Sequence, residues 1–183
     1  MDKVKIVAGV VAGFLLVGCN SNPKFSEELK TVDSLQVVVE NYLEKMDSVN
    51  TELMLQRADE VDQQYTFIEQ NFTDTTQRDF WINKMSFYRL VMKGYTKFAK
   101  GEEELREEIN KMETQLATLE NSIKDEKLTE EEVDKYLQDE ILALQQLQLH
   151  FNSLVPGLKR VNAMYDDLKP SIDSVENHLR TTP

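Results

Sequence analysis

From Phe25 onward, apolar residues recur every three or four positions along nearly the whole chain. The first run is Phe25, Leu29, Val32, Leu35, Val39, Tyr42, Met46, Val49 and Leu53. Such steps mark one face of an α-helix. The pattern blurs after Leu53 and resumes at Val61, Tyr65, Ile68 and Phe72. Asn71 to Thr76 is turn-like, and Asp74 with Gln77 is spaced as a capping box. The second run is Trp81, Tyr88, Val91, Tyr95, Phe98, Leu105, Ile109, Met112, Leu116, Leu119 and Ile123, interrupted by Lys84 and Glu102. Its spacing averages 3.5, the repeat of a coiled-coil seam. Gly94 and Gly101 weaken it, because glycine costs about 1 kcal/mol against alanine inside a helix.

The next boundary is well marked. Thr129 and Glu132 form a capping box, flanked by Leu128 and Val133 as a hydrophobic staple. The third run then holds Leu144, Leu147, Phe151, Leu154, Leu158, Val161, Tyr165, Leu168, Ile172, Val175 and Leu179 without a polar intrusion. Pro156-Gly157 and Pro170 oppose the helix chemically, since proline removes a hydrogen bond and clashes with the preceding turn. The apolar phase survives both.

The spacing therefore predicts helices over residues 24–72, 77–126 and 129–180. At 1.5 Å per residue each is about 70–75 Å long. Two short turns make successive helices antiparallel neighbours. The expected fold is all-α: an elongated, coiled-coil-like antiparallel three-helix bundle, kinked at Gly101 and Pro156. It resembles spectrin-type repeats in architecture alone. The alternative breaks the helices at Gly101 and Pro156 into five shorter ones.

Composition narrows the function classes. The 183 residues include 21 Lys+Arg, 33 Asp+Glu, one Cys and two His, for a net charge of −12. A chain this acidic is not expected to bind nucleic acid. One cysteine forms no internal disulfide framework and no Cys-rich zinc site. A helical di-iron centre needs Glu three residues before each His; Leu147 and Val175 occupy those positions before His150 and His178. No Gly-rich phosphate loop, EF-hand spacing or Ser/His/Asp arrangement stands out. The chain is expected to be no enzyme and to carry no metal and no cofactor.

The one cysteine has a telling position. Met1 to Lys5 is a short basic segment, and Ile6 to Gly18 runs IVAGVVAGFLLVG without a charge. That run is too short to span a bilayer and has the length of a signal-peptide core. It ends in Leu16-Val17-Gly18-Cys19. Here the chain resembles bacterial lipoprotein precursors, whose lipobox reads Leu, a small or β-branched residue, Gly or Ala, then Cys. The resemblance implies cleavage between Gly18 and Cys19, diacylglyceryl attachment to the Cys19 sulfur, and acylation (palmitate) of the new amino terminus. It implies nothing about the mature domain. Residues 1–18 are then a signal peptide, 19–23 a lipidated N-terminus with a short linker, and 24–183 the bundle. The expected location is the cell envelope, lipid-anchored. Asn20 favours the outer membrane if the envelope is Gram-negative.

Charge is unevenly spread. Residues 78–100 hold Arg78, Lys84, Arg89, Lys93, Lys97 and Lys100 against Asp79 alone, while the rest is strongly acidic. Arg89, Lys93, Lys97 and Lys100 are spaced four, four and three, which makes one stripe. Phe80 and Phe87 lie a heptad apart nearby. These six are the candidate partner-binding residues, because aromatics and Arg anchor interfaces. A second reading stands beside it: the stripe answers Glu52, Asp59, Glu60, Asp62 and Glu69 on the first helix. The expected function is a non-enzymatic accessory, adaptor or spacer protein at the envelope, which binds a protein partner through its membrane-distal end. The alternative is a small-ligand carrier with a pocket around Trp81, Tyr88 and Tyr165. Self-association through a leftover apolar face is a third expectation.

Overall fold

The computed structural model describes residues 24–73 and 77–181. Among them all regular secondary structure is α-helix. The helices are α1 (Ser26–Asp47), α2 (Thr51–Asn71), α3 (Arg78–Lys124) and α4 (Glu130–Thr181). The lipobox and Cys19, and residues 74–76 with the expected cap at Asp74, lie outside the described residues.

The expected first helix, 24–72, is two helices. Ser48 keeps helical geometry and its N–H donates to Glu44 O (3.1 Å), but Asn50 is extended. The Asn50 side chain then accepts from the N–H of Leu53 (2.9 Å) and caps α2. The Thr51 hydroxyl bonds to the Glu102 carboxylate of α3. Arg106 closes the other side of the break, donating to Met46 O (2.8 Å) and Asp47 (2.8 Å) while pairing with Glu102 (2.9 Å). It thereby adds a second donor to a carbonyl that also accepts from Val49 N–H (3.1 Å). The break also resets the phase. Leu53, expected on the inner stripe, is 41 % exposed; Met54 and Ala58 are buried instead, ahead of Val61 and Ile68, which are buried as expected.

The alternative breaks do not occur. α3 runs through Gly101, and α4 through Pro156 and Pro170. Buried neighbours hold both helices in phase: Phe98 and Leu105 around the glycine, Leu154 and Leu158 around Pro156, Leu168 and Ile172 around Pro170. The glycines have a packing role. A Cβ on Gly94 would stand 2.6 Å from Val161 Cγ2, and one on Gly101 2.8 Å from Leu154 Cδ1. The two positions are one heptad apart on α3 and their partners one heptad apart on α4, so these helices approach closely at both.

α1 and α2 each pack on α3 and α4, and among the described residues not on each other. Gln36 bonds to Glu120 (3.1 Å), Tyr88 to Gln64 (2.6 Å), and the Phe72 ring lies 5.6 Å from Trp81. The levels thus run evenly past the break: α1 faces the C-terminal half of α3 and α2 the N-terminal half. The 48–50 break, Gly101 and Pro156-Gly157 fall at one level. The α3–α4 connection is as expected: Thr129 and Glu132 cap reciprocally (2.8 and 3.3 Å), and Leu128 packs on the core beside buried Val133. α3 ends around Glu126, whose left-handed backbone (φ 53°) lets Lys127 N–H reach Ser122 O (3.0 Å).

Candidate partner-binding surface

The N-terminal half of α3 shows its inner face to α2 and α4. Tyr88, Val91, Tyr95 and Phe98 are buried there, and Trp81 is half-buried against Phe72. A helix that buries this stripe must expose the residues between. Those residues include Arg89, Lys93, Lys97 and Lys100, all exposed. The structure thus brings the four stripe cations together on one outer face. Ile82 (50 % exposed), Phe87 (53 %) and Leu90 (47 %) flank them. Phe80 belongs to α3, with its side chain outside the described set. Ile82 and Leu90 went unread in the sequence because they fall outside the seam. Their spacing of eight, with Ser86 midway, was the available signal.

The cations are weakly engaged by their own molecule. Arg89 lies over the Tyr65 ring at 5.3 Å, and Lys97 reaches Ser153 O at 3.4 Å. Among the described residues, no carboxylate lies within ion-pair distance of Arg89, Lys93, Lys97 or Lys100. The acidic residues opposite have other partners or face solvent: Glu60 pairs with Lys169 (2.9 Å), Glu69 accepts from Tyr65 (3.3 Å), and Glu52, Asp59 and Asp62 are exposed. Among the described residues, these four side chains form no ion pair with α2, and Arg89 meets it through the Tyr65 ring.

Beneath this surface lies a polar layer that the periodicity did not reveal. Gln64 is buried; it accepts from Tyr88 and donates to Asp173 (2.8 Å) and Glu176 (2.5 Å) of α4. Tyr165 donates to Glu60 (2.5 Å), Tyr95 to Asn162 (2.7 Å), and Lys169 bridges Glu60 and Asp173. Burial first, and then neighbouring Glu60, pushes the Tyr88 and Tyr165 hydroxyls up. They stay protonated and act as donors, to Gln64 and to Glu60.

Open grooves mark the surface, and three of them are lined by described residues. The α3–α4 groove of ≈ 610 Å³ includes Glu104, Glu108, Leu149 and His150, whose Nδ1 is 2.8 Å from Glu108. A groove at the α1–α2 break has ≈ 810 Å³, and a smaller one of ≈ 270 Å³ passes Tyr136 and Glu140. Trp81, Tyr88 and Tyr165 line none of the three. Among the described residues, no group of three His, Cys, Asp or Glu side chains is placed to hold a metal ion. No described helix is long and apolar enough to cross a membrane. No protein-family model matches the chain, and neither a curated protein nor a solved structure is similar to it.

Proposed function

We propose that the chain is a lipid-anchored, non-enzymatic spacer or adaptor of the bacterial envelope that engages an acidic protein partner through the outer face of α3. The observation that carries this reading is the row Arg89, Lys93, Lys97 and Lys100, exposed and without carboxylate partners among the described residues, beside exposed Ile82, Phe87 and Leu90. Unpaired cations steer an acidic partner, and apolar side chains next to them supply area to bury. In this reading the helices form a coiled-coil-like rod, three-stranded at each level because α2 takes over from α1.

The anchoring half rests on the lipobox and on where the bundle begins. Phe25 is buried, and Lys24 pairs with Glu130 at the α3–α4 end (3.6 Å). Five residues from Cys19 to Lys24 reach at most about 17 Å, so that end lies by the membrane. Lys100 then stands roughly 36 Å along α3 from its end at Lys124, and Arg89 roughly 50 Å.

The test places a photocrosslinker at Leu90 in native cells, with and without Arg89→Glu, Lys93→Glu and Lys97→Glu. The expected result is a discrete crosslinked partner that disappears in the triple variant while helicity is retained. Capture that survives the charge reversal, or a crosslink only to a second copy of the chain, overturns the reading.

A further inference from the structure

The groove at the α1–α2 break carries cations of its own. Lys45 contributes from the end of α1, Arg57 from α2 and Lys159 from α4. Asp166 is the one carboxylate among the lining residues. Among the described residues, none of the three cations lies within ion-pair distance of any carboxylate. In a chain of net charge −12 this is a local inversion of sign. The lining between them includes apolar Val49, Leu53 and Leu158, beside polar Ser48, Asn50 and Asn162. Leu53 is 41 % exposed because the break turns it out of the core.

Arg57 is positioned but not saturated. Its guanidinium lies over the Tyr165 ring at 4.6 Å, and its Nη1 donates long bonds to Tyr95 (3.4 Å) and Asn162 (3.5 Å). Both acceptors are neutral. A guanidinium fixed by a ring and two weak bonds keeps donors for a bidentate anion. The ≈ 810 Å³ volume is within the range of small-ligand sites. Cations beside a largely apolar floor suit an anion carried on a hydrocarbon body.

We propose that this groove binds a single-chain anionic amphiphile, with a carboxylate or phosphate head on Arg57 and Lys159 and its chain along Val49, Leu53 and Leu158. The site is separate from the outer face of α3 and does not depend on it. The test uses the full chain in phosphatidylcholine nanodiscs and three diazirine probes: dodecanoate, dodecyl phosphate and the uncharged dodecanol. Labelled peptides are mapped by mass spectrometry. The anionic probes are expected to label peptides spanning 45–57 and 155–166, saturably. Arg57→Gln with Lys159→Gln is expected to cut that labelling at least tenfold, while Lys93→Gln with Lys97→Gln leaves it unchanged. If Arg57→Gln compromises the fold in a thermal melt, Lys45→Gln with Lys159→Gln, both at exposed side chains, carries the test with a smaller expected loss. Agreement between the two anionic probes identifies an anion site; labelling by one alone identifies its preferred head group. Labelling spread along the rod, equal labelling by dodecanol, or labelling indifferent to these substitutions overturns the proposal.

Discussion

Gln64 occupies a place where the α2 pattern asks for an apolar side chain, one turn from Val61 and Ile68. Its amide is saturated by Tyr88, Asp173 and Glu176, so burying it costs little. The need for partners was legible in Tyr88, Tyr95 and Tyr165, since a buried phenol requires one. The partner was not, because Tyr65 beside Gln64 fits the apolar spacing better. Glu140 is the opposite case: its Oε2 is buried without a hydrogen-bond partner. Burial pushes its carboxyl above the usual range, with help from Asp139 and against Lys111. The folded chain therefore holds this proton more tightly than the unfolded chain does. Ionisation weakens the fold as pH climbs from the ordinary carboxylate value to the raised one, and the penalty stays in full above it. Glu140→Gln is expected to raise Tm by a few degrees at pH 7, with the gain vanishing in melts below about pH 4.

The helices show local and tertiary signals competing. At Pro156 the local signal is strong, but Leu154 and Leu158 are buried on either side, and the seam carries α4 through the proline. At residues 48–50 the outcome reverses. Val49 and Leu53 extend the three-four spacing past the break, which masked it in the sequence. Ser48, Asn50 and Thr51 nonetheless offer side chains that compete with helical hydrogen bonding. Asn50 caps the start of α2, and Val49 N–H and Arg106 both donate to Met46 O, so interruption costs little there. The two α3 glycines, legible only as weak points, are contact points and should differ under substitution. Val161 is β-branched and stiff, whereas the Leu154 methyl at Gly101 is the far end of a flexible side chain. Gly94→Ala is expected to lower stability by about 1 kcal/mol despite its better helix propensity, a cost of the overpacking kind. Gly101→Ala is expected to be neutral or stabilising by up to about 1 kcal/mol. Urea unfolding of the two variants side by side checks the order, and equal loss in both would contradict it.

Across the whole molecule, the sequence made the all-helical class, the α3–α4 turn and the exposed basic row readable, because each depends on short-range spacing. The groove at the α1–α2 break was not readable, since it joins residues of α1, α2 and α4 distant in sequence at a break the spacing masked. The two halves of α3 also differ in kind: beyond Gly101 its exposed residues include Glu103, Glu104, Glu107 and Glu108. In the proposed reading, an acidic half beside an anionic membrane surface is held there by lipid rather than by charge. Cys19→Ala is accordingly expected to move the protein from the membrane to the soluble fraction at all salt concentrations, as fractionation and blotting would show. Membrane retention that high salt reverses would argue for an electrostatic attachment instead.

The coincidence of irregular points at one level has a mechanical consequence. A helical rod resists bending through its unbroken turns. At this station one strand has no turn, a second has a proline in place of a hydrogen-bond donor, and the third has a glycine. Thermal flexing is therefore expected to concentrate at this station, which amide exchange around residues 48–50 would check. A sideways load on the basic arm is then felt first as a change in the width of the groove beside Arg57.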